Sequence, residues 1–143
     1  MNKLNVLLVE DKPSDVRVFI EAFKENKTSS NLSIVGDGEE AINYLLGKGR
    51  YADAPKPDIV LLDLKLPKKS GIEVLKVIRE TPAISTLPVV VMSNSDAEAD
   101  INKSYKYRAN CYITKPFTMA EFIEVAGYIE KFWMKYVRLP GRK

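Results

Sequence analysis

The sequence alternates between short apolar runs and longer amphipathic segments, and this alternation constrains the fold more than any other feature. Five short apolar runs, most of them rich in Val, Ile and Leu, are typical of strands: Asn5–Val9, Leu32–Val35, Ile59–Leu62, Val89–Met92 and Cys111–Thr114. Between them, apolar residues recur three and four positions apart, which predicts helices at about 13–26, 38–47, 71–80, 96–107 and 118–136. Strands that alternate with helices indicate βαβ units. We therefore predict an α/β domain with a doubly wound, five-stranded parallel sheet, (βα)₅, and helices on both of its faces.

Short polar motifs mark the beginnings of several of these helices. Pro13 suits the first turn of the first helix. Three later segments fit the capping box, in which a Ser or Thr and a Glu three residues later satisfy backbone N–H groups of the first turn: Ser70–Glu73, Ser95–Glu98 and Thr118–Glu121. The motifs predict helices that begin directly after the Ser or Thr.

Length and composition fit one soluble domain. The chain has 143 residues, of which 45% are apolar and 29% charged, a mixture that suits a globular protein and argues against disorder. Its apolar runs are far shorter than the ~20 residues that a membrane span needs, and its first residues lack a signal-peptide pattern. We expect one domain over residues 1–143 with a core at about 4–130, a C-terminal helical extension at about 131–143, a cytoplasmic location and no membrane contact.

The residue types that are scarce exclude several kinds of chemistry. The chain contains no His, which removes Ser-His and Cys-His catalysis and the usual zinc ligands. Its single Cys, Cys111, lies in an apolar run, and we interpret it as a small buried side chain that forms no internal disulfide. What remains for an acid-rich site is a set of carboxylates that hold a hard cation.

Polar side chains follow four of the predicted strands. Glu10 and Asp11 come after the first strand, Asp63 after the third, Ser93 after the fourth and Lys115 after the fifth. In an open parallel sheet, ligands bind at the carboxyl ends of the strands, so these side chains are expected to meet at one rim. Each also has a purely structural explanation: a helix cap, a loop acid, a local hydroxyl bond or a solvated cation. Their convergence favours a functional site.

Three carboxylates at one rim need compensating positive charge. At close range each pair would repel by roughly 4 kcal/mol at a surface-like dielectric. A divalent cation with oxygen ligands removes this repulsion, and Mg²⁺ is commonly bound by one or two carboxylates while it keeps several waters. Phosphoryl transfer to a carboxylate needs the same components, namely an exposed carboxylate and cationic partners for the transferring oxygens.

The stretches LLVEDKPSD, IVLLDLKLPKKSG, VVVMSNS and CYITKPF resemble the receiver domain of two-component response regulators over residues ~4–130. The resemblance implies a flavodoxin-like receiver fold and a single-domain response regulator that accepts a phosphoryl group on Asp63 from a sensor histidine kinase. It implies no enzymatic turnover beyond phosphorylation and dephosphorylation of the chain itself. The implied cofactor is Mg²⁺, with Mn²⁺ as a substitute, held by Glu10, Asp11, Asp63 and the backbone carbonyl of Lys65.

The same resemblance assigns the residues that respond to the phosphoryl group. Lys115 matches the lysine that pairs with it, Ser93 the switch hydroxyl, and Tyr112 the aromatic that turns inward on activation. Pro116 would follow a cis peptide bond. The long Gly47–Pro57 loop and the aromatic C-terminal extension resemble the small regulators that partner phytochrome-like sensor kinases.

Three other functions are weighed against this one. A haloacid-dehalogenase-type phosphatase expects Asp-x-Asp near the first strand, whereas the third-strand motif here is Asp63-Leu64-Lys65. A receiver-like adaptor that takes no phosphate should lack one of the acids or the lysine, and all are present. A DNA-binding regulator should carry a helix-turn-helix, for which the chain offers no room after the fifth helix, so no DNA binding is expected.

The predicted fifth helix is longer than the sheet beneath it. A helix over 118–136 would run about 28 Å, whereas strands usually span ~17–20 Å. Its apolar stripe comprises Phe122, Val125, Ala126, Ile129, Phe132, Trp133 and Tyr136. The last three are expected to overhang the sheet and to form a homodimer contact on the face of the fourth and fifth helices. Docking to a kinase or target, and coverage by the N-terminal end or by the chain after Val137, are the alternatives.

Overall fold

The computed structural model describes residues 3–26 and 30–140, which form five strands and five α-helices in strict alternation. The strands are β1 (Leu4–Val9), β2 (Ser30–Val35), β3 (Ile59–Leu62), β4 (Val89–Ser93) and β5 (Cys111–Thr114). The α-helices are α1 (Pro13–Glu25), α2 (Gly38–Leu45), α3 (Gly71–Glu80), α4 (Glu98–Lys106) and α5 (Met119–Lys131). Short 3₁₀ helices cover Gly49–Tyr51 and Pro82–Ile84, and a π-helical turn covers Phe132–Tyr136. The predicted (βα)₅ order is confirmed.

All strand pairings are parallel, in the order β2-β1-β3-β4-β5. The chain runs outward from β1 to β2 on one side and then returns past β1 to β3 on the other. The strand order therefore reverses between β1 and β3, where Val9 pairs with Leu62. Such a reversal opens a crevice at the carboxyl ends of the two strands.

Alternating side chains of the central strands fill two cores, one on each face of the sheet. In β1, Leu7 and Val9 join the core under α2 and α3, while Val6 and Leu8 join the core under α1 and α5. Every residue of β3 and β4 is buried, which explains why the sequences of these strands are almost entirely apolar. Cys111 is half-buried against the second core, so its predicted burial is only partly correct.

Helix α4 is packed more loosely than the others. Within α4, all of which the structure describes, Ser104 is the only buried residue. Its first turn also differs from the prediction. The helix begins at Glu98 after Ala97, whose methyl side chain cannot act as a cap. The Ser95 hydroxyl accepts from the Ala97 N–H at 3.2 Å and donates to Asp100 Oδ2 at 2.5 Å. The predicted hydroxyl caps at Ser70 and Thr118 are confirmed, while Glu73 and Glu121 accept from those hydroxyls.

The C-terminal helix is present, but its last turn is wider than an α-helix. After Lys131 the backbone takes a π-helical turn, closed by the Val137 N–H donating to the Phe132 carbonyl at 2.9 Å. The expected cis bond before Pro116 is wrong, since every peptide bond in residues 3–26 and 30–140 is trans, the form that X–Pro bonds favour. In the described part of the chain, no helix is both long and apolar enough to cross a membrane.

Candidate functional site

Three carboxylates meet in the crevice between β1 and β3. Carboxylate oxygens of Glu10, Asp11 and Asp63 all lie within 4.8 Å of one another. The Asp63 N–H donates to the Val9 carbonyl at 3.1 Å, which joins the ends of the two strands. Glu10 is buried and Asp11 is exposed, so the cluster opens to solvent on the Asp11 side. Asp11 does not cap α1, whose N-cap residue, Lys12, makes no side-chain cap bond.

A buried lysine lies against this acidic cluster. Lys115 follows β5, and its side chain is only 2% exposed. Its ammonium contacts Glu10 Oε1 at 2.6 Å, Asp15 Oδ2 at 2.8 Å and Asp63 Oδ2 at 3.3 Å. An ammonium has three N–H donors, and three carboxylates therefore satisfy it completely.

The charges at the site are not balanced. Burial raises the pKa of Glu10 to about 7; the hydrogen bond from Lys115 opposes this rise, and the negative charge of Asp63 adds to it. Burial alone would lower the pKa of Lys115, but its bonds to Asp15 and Glu10, with the charge of Asp63, raise that pKa above its usual value. The lysine therefore stays charged and contacts three acids, while Asp11 adds a fourth acid to the crevice. Hard oxygen ligands with excess negative charge fit a divalent cation.

The loop after β3 packs tightly against the backbone of Asp63. A Cβ at Gly71 would lie 2.2 Å from the Asp63 carbonyl oxygen, closer than any side chain can approach. The Gly71 N–H donates to the Leu64 carbonyl at 2.8 Å, and the Ser70 hydroxyl caps α3 directly beside it. Lys65 lies two residues beyond Asp63 in this loop and is exposed. The glycine lets α3 begin beside Asp63, which holds the carboxylate in place.

Ser93 and Tyr112 are linked through Ser95. Ser93 is buried at the end of β4, where its hydroxyl accepts from the Ser95 N–H at 3.2 Å and its carbonyl accepts from the Lys115 N–H at 2.8 Å. The half-buried Tyr112 donates its hydroxyl to the Ser95 carbonyl at 2.7 Å. Its own N–H donates to the hydroxyl of Tyr105 on α4 at 3.2 Å. A continuous set of contacts therefore runs from the lysine to α4.

Sequence reasoning identified every member of this site except Asp15. That residue lies in the first turn of α1, where an acid is expected simply because it suits the positive end of the helix dipole. Its one distinguishing signal is its position in the first turn of α1, four residues after Asp11. That signal is too common in helices to identify a functional residue alone.

The geometry agrees with what comparison with known proteins finds. Residues 6–126 match the family model described as the response regulator receiver domain. The chain belongs to this family. The receiver domain is 40% identical over 136 residues to response regulator Rcp1 of Synechocystis sp., an alignment that covers 95% of this chain and 92% of Rcp1.

Solved structures of related proteins have the same fold. The phosphorylated cyanobacterial phytochrome response regulator RcpA matches with a TM-score of 0.90 and 42% identity, over 96% of this receiver domain and 99% of RcpA. The Mn²⁺-bound form of Rcp1 matches with a TM-score of 0.87 and 39% identity, over 96% and 99% of the two chains. These matches confirm the predicted flavodoxin-like receiver fold and the resemblance to regulators of phytochrome systems.

Proposed function

We propose that this receiver domain is a phosphorylation switch in which Asp63 accepts a phosphoryl group from a sensor histidine kinase. The observation that carries the proposal is the placement of Asp63 at the strand-order reversal, 3.3 Å from a buried, charged lysine and beside two further acids. A carboxylate in that setting is held still, is open on one side, and has a cation ready for the oxygens of an incoming group.

The transfer exchanges one phosphorus bond for another. A carboxylate oxygen of Asp63 attacks the phosphorus of a phosphohistidine, and a P–O bond forms as the P–N bond breaks. The imidazole nitrogen keeps the electron pair of the broken bond. Lys115 donates to the phosphoryl oxygens, where negative charge is concentrated. Water later hydrolyses the acyl phosphate and restores Asp63, so the protein acts on itself and turns over no external substrate.

The acidic cluster is the proposed site for Mg²⁺, with Mn²⁺ as a substitute. Glu10, Asp11 and Asp63 would hold the ion, together with the backbone carbonyl of Lys65. When bound, the ion neutralises charge on the phosphoryl oxygens and on the carboxylates that surround them. The oxygen-only ligand set and the burial of Glu10 support this assignment, and the relative Rcp1 has been solved with Mn²⁺ bound.

The new phosphoryl oxygens are proposed to shift the equilibrium between two packings. Ser93 donates its hydroxyl to one of them and gives up its contact with the Ser95 N–H, which lies 3.2 Å away in the unphosphorylated structure. Movement of Ser95 breaks the bond to Tyr112, whose ring then turns inward. Because the phosphoryl group binds the two packings differently, it can shift their populations.

The test is intact-mass measurement after incubation with acetyl phosphate and Mg²⁺. We expect one added phosphoryl group on the wild type, dependent on Mg²⁺ and labile at alkaline pH, and none on Asp63→Ala. Asp53→Ala is the matched control, since Asp53 is an exposed acid in the loop before β3. An adduct that persists on Asp63→Ala, or a wild type that gains no mass, would contradict the proposal.

A phytochrome-like sensor kinase is the proposed phosphoryl donor. The receiver domain itself is proposed to act in the cytoplasm and not to bind DNA. RcpA, 42% identical to this chain, is a phytochrome response regulator, and this similarity supports the assignment. Purified kinases of the same organism, labelled on their histidine, should differ in how fast they transfer phosphate to this receiver domain. A phytochrome-like kinase that transfers no faster than an unrelated one would contradict it.

A homodimer through the fourth and fifth helices is the proposed assembly. Phe132 and Tyr136 are 53% and 59% exposed, and Tyr128 on the same helix is 65% exposed. Trp133, expected to overhang, instead packs against the core with its ring edge-on to Phe132 at 5.5 Å. Exposed aromatics grouped in this way usually mark an interaction surface.

Sedimentation of the wild type and of Phe132→Ala tests the dimer, with and without phosphorylation. Because Phe132 is exposed, its loss should weaken association and leave the fold intact. Ile20→Ala, on α1 and also exposed, is the control for a general loss of apolar surface. A wild type that stays monomeric at high micromolar concentration in both states would contradict this proposal.

A further inference from the structure

We propose that Asp15 is a positioning residue that competes with Asp63 for Lys115 and releases the lysine when Asp63 is phosphorylated. This inference rests on the proposed function, because it concerns the same phosphoryl group. It gives a role to an acid that stands outside the carboxylate cluster of Glu10, Asp11 and Asp63.

The three contacts of Lys115 are unequal. Its ammonium lies 2.6 Å from Glu10 and 2.8 Å from Asp15, but 3.3 Å from Asp63. The lysine is therefore held mainly by two acids on the α1 side of the crevice, and its weakest contact is with the proposed phosphoryl acceptor. Without phosphate, Lys115 lies beside Asp63 but is held more closely by the other two acids.

Phosphorylation adds acceptors without adding donors. The ammonium has three N–H groups, and all three already face carboxylates. One phosphoryl oxygen can replace the 3.3 Å contact of Lys115 with Asp63, but a second can bind the ammonium only if the contact with Glu10 or with Asp15 is also lost. The contact that breaks most easily is the one whose acid water can then solvate. A buried acid that is left without its partner instead bears the full free-energy cost of its desolvation.

Asp15 is the acid that water can reach. The side chain of Asp15 is 21% exposed, whereas that of Glu10 is 1% exposed. Asp15 also lies in the first turn of α1, where the helix N-terminus stabilises a carboxylate that has lost its cation. Release of Lys115 by Asp15 therefore carries the smaller penalty, and α1 is the element that responds directly to the lysine's movement.

Asp15 also adds to the negative charge that attracts a divalent cation. Its removal should weaken Mg²⁺ binding, because one nearby carboxylate charge is lost. The same removal should favour the phosphorylated state, since Lys115 is freed and one charge that repels the phosphoryl group disappears. The two effects have opposite signs, which a general loss of structure cannot produce.

The experiment compares Asp15→Asn with the wild type and with Glu21→Gln. Glu21 is an exposed acid on the same helix, so its variant has the same change in net charge without the contact to Lys115. Mg²⁺ affinity is measured by calorimetry without phosphate. Phosphorylation is then measured by intact mass over a range of acetyl phosphate concentrations at saturating Mg²⁺.

For Asp15→Asn, we expect the Mg²⁺ dissociation constant to rise by on the order of threefold to tenfold. The acetyl phosphate concentration for half-maximal phosphorylation should fall by a similar factor, on the order of threefold to tenfold. Asp15→Glu, which keeps the charge and can still reach Lys115, should restore both values toward those of the wild type. Glu21→Gln should change neither.

The outcomes separate this inference from the proposed function. A wild type that takes no phosphate on Asp63 overturns both. If the wild type is phosphorylated and Asp15→Asn behaves like Glu21→Gln, only the role of Asp15 is refuted. Phosphorylation and Mg²⁺ affinity that fall together, with a lower unfolding midpoint, would make Asp15 a structural residue and would also refute the proposal.

Discussion

The substitution Glu10→Gln should remove a pH dependence from the stability of the metal-free protein. Burial raises the pKa of Glu10 from 4.5 to about 7 in the folded state, while the unfolded chain titrates near the ordinary value. Between these two pH values the folded protein retains a proton that the unfolded chain has released. The free energy of unfolding therefore falls as pH rises through this window and stays lowered above it.

The magnitude follows from the size of the pKa change. A rise from 4.5 to about 7 corresponds to about 3.4 kcal/mol, at 1.36 kcal/mol for each pKa unit. The neighbouring Asp11 is exposed, so water at the mouth of the crevice screens part of this interaction. After a reduction for that screening we expect about 2 kcal/mol. Gln resembles the protonated acid in shape and cannot ionise, so the variant should lack this contribution.

Urea unfolding in the presence of a chelator, at about pH 5 and about pH 9, measures this contribution of Glu10 to the free energy of unfolding. The loss of unfolding free energy between the two pH values should be about 2 kcal/mol smaller in Glu10→Gln than in the wild type. Buried Glu130, whose pKa burial also raises, is present in both proteins and cancels in this comparison. Glu21→Gln should lose as much as the wild type. Equal losses in Glu10→Gln and the wild type would refute the electrostatic account of the site.

Two further substitutions test the supports around the acceptor. Gly71→Ala should lower the free energy of unfolding by ~1–3 kcal/mol, because the new methyl group would lie 2.2 Å from the Asp63 carbonyl oxygen. Gly36→Ala, with nothing within 4 Å of the added carbon, is its control in the same urea titration, and equal losses would contradict the steric argument. Tyr112→Phe should lower the free energy of unfolding of the unphosphorylated protein by about 1 kcal/mol through loss of its 2.7 Å bond to Ser95. An unchanged unfolding midpoint in that variant would mean that the bond does not hold the ring.

The sequence allowed the fold to be predicted because its central strands, β3 and β4 above all, are buried on both faces. Runs such as Ile59–Leu62 contain no polar residue, and the acids and turn residues that follow them mark where each strand ends. Helix boundaries were less predictable where a side chain forms hydrogen bonds other than the expected cap. The hydroxyl of Ser95 donates to Asp100 and accepts from the Ala97 N–H, so the helix begins at Glu98 and not directly after Ser95.

All members of the site except Asp15 could be predicted from the sequence, but the contacts between them could not. The strand ends identify Glu10, Asp63 and Lys115, but the sequence does not say which acid holds the lysine. That depends on how closely α1 approaches β5 above the sheet, which is set by packing between helices such as the edge-on contact of Phe19 with Phe122. The same packing brings Asp15 to 2.8 Å from Lys115.

The loose packing of α4 explains why a signal from this crevice should emerge on the face of α4, β5 and α5. An element with few buried side chains can move at a small free-energy cost, and within the fully described α4 only Ser104 is buried. Tyr105 on that helix is joined to the backbone of Tyr112, and Tyr112 is joined through Ser95 to Ser93. If the Ser93 hydroxyl changes its hydrogen-bond partner, three hydrogen bonds transmit that change to α4, a helix that is only weakly packed. By contrast, α3 is fixed beside Asp63 by Gly71, so it can support the acceptor but has little freedom to report its state.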